Sequence, residues 1–211
     1  MSAALYPVGK RLIDALGAAF ALVLFGPIAL LFGAFIRQQS PGPLFFVQTR
    51  EGQCGRPFNI LKLRTMYPDA GERLRRHLET DASAAAEFAA NGCLRDDPRI
   101  VGRAGALARR YSIDEIPQLW NVLVGEMSLV GPRPLHPRDA EMFFDAPTRA
   151  ARLLVLPGMT GLWQVRREGK RDVMRNIGEL DLIYVRKRSL RFDFMILLLT
   201  PRAVLSGGGV S

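Results

Sequence analysis

Cysteine is nearly missing from this chain of 211 residues: Cys54 and Cys93 are the only two. They have neither metal-ligand nor redox spacing, which excludes a disulfide scaffold and a zinc centre. A reduced, cytoplasm-facing domain is the simplest account. Histidine is as scarce. His77 and His136 have no triad partner and no metal spacing, and both are read as structural or solvated. Acidic residues are in short supply, 20 against 29 Lys and Arg, for a net charge of +9. That excess points to an anionic partner: lipid headgroups, a nucleotide diphosphate or nucleic acid. Nucleic acid fits poorly, because the basic residues are spread among apolar segments and no helix-turn-helix, zinc-finger or RNA-binding signature occurs. Internal repeats are absent, and an Ala-rich run at residues 82–90 is the only low-complexity stretch.

What the chain has in abundance is one apolar run. Residues 12–36 carry a single charge, Asp14, with Lys10 and Arg11 before it and Arg37 after it. The run is long enough for a transmembrane helix. At its centre stands Gly26-Pro27. Proline deletes a helical hydrogen bond and glycine lets the backbone bend. Each arm alone rises about half of the roughly 30 Å hydrocarbon core. Cations on both flanks give no inside-outside bias. A kinked spanning helix, a helix-break-helix hairpin that returns to its own side, and a buried core helix all remain open. A secretory signal is disfavoured, because the run is too long and no small-residue cleavage site stands out.

The rest reads as short elements. Ser40-Pro41-Gly42-Pro43 ends the apolar segment. Residues 44–48 and 57–63 read as strands around a Gly52/Gly55 turn. Residues 69–90 read as one amphipathic helix stopped by Gly92. Asp96-Asp97-Pro98-Arg99 is a turn, and 105–111 a short basic helix. Residues 157–161 form a loop feeding a strand at 162–165. Residues 172–187 read as a helix, and 192–205 as an interfacial helix broken by Pro201.

Two adjacent carboxylates, Asp114 and Glu115, are the candidate chemical centre. Ser112-x-x-Glu115 has capping-box spacing, which would leave Glu115 a purely structural task. Pro117 argues for a helix that starts there instead, with both carboxylates just ahead of it. Either way they face the positive end of the dipole, which favours ionisation. An ionised carboxylate can act as a nucleophile or a Mg²⁺ ligand. Downstream, Arg133 is held between Pro132 and Pro134.

Taken together, the motifs resemble the bacterial sugar transferases, small monotopic phosphoglycosyl transferases acting on polyprenyl phosphate. The resemblance rests on Lys10-Arg11-x-x-Asp14, Ser40-Pro41-Gly42-Pro43-Leu44-Phe45-Phe46-x-Gln48-x-Arg50 and Lys62-Leu63-Arg64-Thr65-Met66. It continues through Asp97-Pro98-Arg99, Ser112-x-Asp114-Glu115-x-Pro117-Gln118 and Gly131-Pro132-Arg133-Pro134. Pro157-Gly158-x-Thr160-Gly161 and Asp181-x-x-Tyr184 complete it. Each motif is weak alone, and their joint order along nearly the whole chain is specific.

The resemblance implies an α+β fold, mostly helical, with short strands and interfacial amphipathic helices. Residues 1–39 would form a re-entrant membrane hairpin broken at Gly26 and Pro27. Residues 40–211 would form a catalytic domain on the cytoplasmic face of the bacterial inner membrane. The implied reaction moves a sugar-1-phosphate from a UDP-sugar to undecaprenyl phosphate and releases UMP. It opens bacterial glycan assembly: exopolysaccharide, capsule, O-antigen or glycoprotein. Asp114 would carry a covalent phosphosugar. Glu115 would assist, and both would hold Mg²⁺, with Mn²⁺ as a substitute. Membrane phospholipids are an implied partner, and downstream glycosyltransferases a further candidate one. The chain departs from the family at the break, where Ser-Pro is usual and Gly26-Pro27 stands here. It also reads as the minimal form, without the extra N-terminal membrane helices of many relatives.

Phosphoryl transfer depends on positioning and charge neutralisation. Lys62, Arg64 and Arg110 are therefore candidate phosphate clamps, and Pro132-Arg133 is assigned to the UDP moiety. Asp181 is a candidate support for the metal or the clamps, or else one half of a helix pair. Three rivals stand against this reading: a spanning enzyme using a single displacement, a non-catalytic polyprenyl-lipid scaffold, and a nucleic-acid binder.

Overall fold

A computed structural model of the chain describes residues 5–166 and 173–206. The termini of the chain and residues 167–172 lie outside the described residues, so the expected start of a helix at 172 does too. Helix α1 (Leu5–Gln39) runs without interruption through Gly26 and Pro27. Its length, about 53 Å at the α-helical rise, exceeds a simple bilayer crossing. One face is buried along the whole helix. Asp14, Ala18, Ala29, Gly33 and Ile36 are buried, with Leu22 and Gly26 half-buried between them. These positions step by three or four residues, so they form one stripe. The opposite face exposes Leu12, Leu16, Phe20, Val23, Leu30 and Phe35.

The chain then forms an antiparallel hairpin, β1 (Phe45–Glu51) with β2 (Pro57–Leu63), Phe45 facing Leu63 and Glu51 facing Pro57. Gln48 and Arg50 share the more covered face of β1, as period two requires. On its far side β2 is bonded by a side chain from α5 (Gln118–Val124). Asn121 accepts from Leu61 N and donates to Asn59 O. Ala18 of α1, Phe58 and Ile60 of β2, and Leu119 and Val122 of α5 close into one core. At the end of α5, Arg11 donates to the carbonyls of Val122 and Leu123, in the last turn where helical carbonyls run out of i+4 donors.

The expected single helix at 69–90 is two helices, α2 (Ala70–Thr80) and α3 (Ala82–Asn91). Asp81 takes extended backbone and caps α3 by accepting from Ser83 N and Ala84 N. Aspartate is a strong N-cap former, and that preference overrides the continuous periodicity. Helix α4 (Gly102–Arg110) follows; its Ala108 packs with Val101 and Ile36 of α1.

A short parallel pair joins β3 (Ser128–Val130) and β4 (Gly158–Thr160). The strand expected at 162–165 is instead a helical turn, α8 (Leu162–Val165). The strand lies just before it, where Gly158 approaches Gly131 so closely that a Cβ on either would collide. A four-residue apolar run does not by itself distinguish strand from helix. Helices α6 (Pro137–Phe143), α7 (Ala146–Arg152), α9 (Val173–Lys187) and α10 (Leu190–Leu205) complete the described chain. His136 caps α6 by accepting from Arg138 N. Pro201 lies inside α10 and does not end it. Both cysteines are free and exposed.

A buried polar cluster ties α1 to α10. Tyr6 and Lys10 donate to one oxygen of Asp193, and Tyr184 of α9 donates to the other. Asp14 accepts from Leu129 N in β3.

Candidate active site

The two carboxylates sit in a 3-10 turn, Ile113–Glu115, between α4 and α5. Ser112 enters that turn with φ of 55°, a left-handed conformation costly for a residue with a Cβ. Its side chain makes no capping bond, so the capping-box alternative fails. Pro117 stands immediately before α5, where its missing N–H costs nothing. Asp114 is buried and Glu115 is partly covered.

Cations surround the pair. Lys62 Nζ of β2 lies 3.0 Å from Glu115 Oε1. Arg109, on the last turn of α4, feels the charges of Asp114, Asp97 and Glu115. Its Nη1 donates weakly to Thr65 Oγ1 at 3.4 Å, while its buried Nε has no partner. Arg133 faces Glu115 as well, and its guanidinium lies 4.5 Å from the centre of the Trp163 ring. Arg50 donates to Gln48 at 2.6 Å, yet its buried Nε is unpartnered. Burial and the like charge of Arg133 both lower its proton affinity, and Asp139 and Glu115 oppose them.

The carboxylates are set apart electrostatically. Burial, then the charge of Glu115, pushes Asp114 up to about 6, against Lys62 and Arg109. Burial works on Glu115 in the same sense, but Lys62 and Arg133 prevail and hold it below its ordinary value. Both groups are therefore ionised at neutral pH, as expected, but the site favours the charged form only of Glu115; that of Asp114 it disfavours. The helix-terminal field is weaker than the cost of desolvating two neighbouring charges.

Not every expected side chain reaches this site. Lys62 and Arg133 do. Arg64 turns the other way: it donates to Pro43 O, to Ser40 Oγ and O, and to Met66 O. The loop 40–43 offers carbonyls that its two prolines cannot match with N–H groups, and the guanidinium fork meets them. Arg110 is exposed, with its guanidinium over the Tyr111 ring, and Arg109 stands in its place at the pair. Successive helix residues point about 100° apart, so the neighbour of a buried arginine faces solvent.

Asp181 of α9 is fully buried, and its contacts are with Arg152 and the Arg133 backbone, the support of a clamp. It bonds Arg152 Nε of α7 at 2.9 Å. Burial pushes its carboxyl up to about 7, against Arg152 and the Arg133 N–H. Arg152 Nη2 donates in turn to Arg133 O at 2.5 Å. Pro132 O accepts from Gly158 N at 2.8 Å, which fixes the loop to β4. Arg152 and Asp181 thus hold Arg133 by its backbone and leave its side chain to face the site. Arg50 and Arg152 carried no role in the sequence reading. Arg50 had a signal, its alternation with Gln48 on one strand face; Arg152 had none.

Among the described residues there is no cluster of three or more metal-ligating His, Cys, Asp or Glu side chains. Asp114 and Glu115 nevertheless suit Mg²⁺, which is commonly held by one or two carboxylates completed by substrate phosphates and water. Two adjacent carboxylates, one raised by the other, are the donor set that a cation relieves.

A buried Asp114 beside a partly covered Glu115, with a lysine and arginines around them and a long outward-facing apolar helix, suits phosphate chemistry at a lipid surface. The comparisons agree. A family model described as bacterial sugar transferase matches residues 5–207, and the chain belongs to that family. Among its relatives is a UDP-glucose:undecaprenyl-phosphate glucose-1-phosphate transferase of Caulobacter vibrioides. It is 42% identical over 203 residues, covering 93% of this chain and 70% of the relative. The exopolysaccharide production protein ExoY of Rhizobium meliloti is 38% identical over 210 residues, 97% of this chain and 91% of its own length. A UDP-N-acetylgalactosamine-undecaprenyl-phosphate N-acetylgalactosaminephosphotransferase of Aeromonas hydrophila is 36% identical over 208 residues. The chain spans less than half the length of several curated relatives, 45% of this last one and 41% of a Haemophilus influenzae sugar transferase.

Proposed function

We propose that this chain transfers a sugar-1-phosphate from a UDP-sugar to undecaprenyl phosphate by two displacements at one site. The observation that carries the reading is the buried Asp114 beside Glu115, with Lys62, Arg109 and Arg133 facing them. A carboxylate oxygen of Asp114 attacks the phosphorus that bears the sugar. The phosphorus–oxygen bond to UMP breaks, UMP leaves with that electron pair, and the sugar phosphate stays on Asp114. An oxygen of undecaprenyl phosphate then attacks the same phosphorus, and the Asp114 carboxylate leaves. Lys62 and the arginines bind and orient the phosphate oxygens throughout. Two displacements let a soluble donor and a membrane acceptor use the site in turn. The product is a lipid diphosphate sugar for downstream glycosyltransferases. A UMP-release screen over UDP-glucose, UDP-N-acetylgalactosamine and related donors tests the reading. Release with at least one donor and undecaprenyl phosphate is expected; release with none contradicts it.

Asp114 and Glu115 would hold Mg²⁺, with Mn²⁺ as a substitute. When bound, the ion would neutralise charge on the diphosphate and the departing UMP. Stripping the enzyme with excess EDTA is expected to bring UMP release to background, and added Mg²⁺ to restore it. Full turnover after metal removal would refute this.

We further propose that α1 enters the inner membrane from the cytoplasmic side and returns there. Its two ends bond to one domain, Asp14 to Leu129 N and Ser40 to Arg64. Asp14 and Ile36 lie about 33 Å apart along the helix axis, close to the hydrocarbon thickness. A crossing helix would leave one of those ends on the far side. In this structure α1 is continuous through Gly26 and Pro27, and these two residues are where it would bend in the membrane. The check is labelling of a single cysteine near Ser2 in intact cells, with Cys54 and Cys93 replaced. No reaction with an impermeant reagent from outside is expected. Reaction means that α1 spans, and Pro27→Ala is expected to push it in that direction.

A further inference from the structure

The junction of α9 and α10 carries four cations in six residues: Arg186, Lys187, Arg188 and Arg191. All four are exposed. No ion pair joins them to an acid among the described residues. Helix stability accounts for part of the cluster. Arg186 and Lys187 complement the negative end of α9, and Arg188 Nη1 donates to Val185 O. Arg191 has no such use. It lies in the first turn of α10, at the positive end of the dipole, where a cation is unfavourable.

The surroundings of the cluster are apolar. Helix α10 exposes Phe194, Leu198, Leu199 and Leu205. Helix α1 meets α10 inside the cluster: a Cβ on Gly9 would lie 3.2 Å from the Leu190 side chain, and Lys10 bonds Asp193. The outward apolar face of α1, beginning at Val8 and Leu12, therefore adjoins that of α10. Unpaired cations beside two exposed apolar helix faces match the two layers of an anionic membrane, with acyl chains for the faces and headgroups for the charges.

We propose that Arg186, Lys187, Arg188 and Arg191 form a docking surface for anionic phospholipid headgroups of the membrane that receives α1 and α10. This concerns the bilayer around the enzyme and is independent of the sugar-phosphate chemistry. Each basic residue near such a surface is worth roughly a factor of five in binding, and salt weakens the effect.

The test uses the full chain, made by cell-free synthesis in the presence of vesicles and then floated on a density gradient. Vesicles are of phosphatidylcholine alone or of phosphatidylcholine mixed with phosphatidylglycerol. The native chain is expected to reach half flotation at roughly a hundredfold or more less mixed lipid than neutral lipid, and to lose that preference in high salt. A variant with Arg186→Gln, Lys187→Gln, Arg188→Gln and Arg191→Gln should float equally on both, while its circular dichroism matches the native chain. An unchanged preference in the variant overturns the proposal, as does a native chain with no preference. If inorganic phosphate abolishes the preference where chloride of equal ionic strength does not, the cluster binds free phosphate and the proposal also fails. UMP release in detergent, expected equal for both chains, is read separately. Its absence from both would sink the enzymatic reading and leave this one standing.

Discussion

Asp114→Asn is expected to lower UMP release on the order of a thousandfold or more, since loss of a covalent nucleophile removes the reaction path itself. The same change should make the metal-free protein more stable. Burial and Glu115 raise Asp114 in the folded chain from 3.8 to about 6. Between those values the folded chain holds a proton that the unfolded chain has released. Stability is therefore fully present below about pH 4 and is lost as pH rises towards 6. Asparagine does not ionise, so its stability escapes that loss. In EDTA at neutral pH the variant should gain up to about 3 kcal/mol, and below about pH 4 the two proteins should converge. Thermal unfolding in detergent across this pH range reads the effect. An active Asp114→Asn enzyme, or one less stable than native at neutral pH, contradicts the assignment.

The second large effect lies behind the site. Arg152→Met leaves the Asp181 carboxyl buried without its partner, and Asp181 Oδ1 already has none. Breaking one side of such a buried pair costs about 3–5 kcal/mol. It also frees the Arg133 carbonyl that Arg152 Nη2 holds. The double variant Arg152→Met, Asp181→Leu should recover most of the stability, because two apolar groups fill the space without an unpaired charge. Activity should stay low in both variants, since both lose the bond from Arg152 to the Arg133 carbonyl. Denaturant melts and UMP release separate the two outcomes. A double variant that is both stable and fully active would show that the pair only supports the fold.

These two effects differ in how far they could be read beforehand. Asp114 and Glu115 announce themselves by adjacency and by Pro117, whereas the strain at Ser112 is visible only in the fold. Lys62 and Arg133 follow from motifs in which a cation sits at a strand end or between prolines. The choice between Arg109 and Arg110 depends on which face of α4 is packed. Gly105 and Ala108 mark that face, and Arg109 lies one turn beyond Gly105. Arg64 looks like a clamp in sequence because its partners are backbone carbonyls of a distant loop, which leave no side-chain trace. Arg152 is invisible for a related reason: its worth comes from Asp181 and Arg133, brought to it only by the packing of α7 on α9. The Asp81 cap was legible as a residue type but lost to the stronger periodic signal around it.

The hairpin of β1 and β2 was plain from alternation and its glycine turn. The parallel pairing of β3 with β4 was not, because three-residue strands joined across a long connection carry no local pattern. The apolar length of α1 was equally plain. Its buried stripe was not, because Ala18, Ala29 and Gly33 are as compatible with lipid as with protein. Only their contacts with α5, β2 and α4 show which face meets the domain.

The most direct test is covalent. Native enzyme is incubated with Mg²⁺ and a UDP-sugar that supports UMP release, with no lipid acceptor, and digested for mass spectrometry. The peptide containing Asp114 should gain the mass of one sugar phosphate, with UMP released in equal amount. Undecaprenyl phosphate should then discharge the adduct. An unmodified peptide, together with UMP release that requires both substrates at once, would contradict the two-step account and leave Asp114 at most a metal ligand.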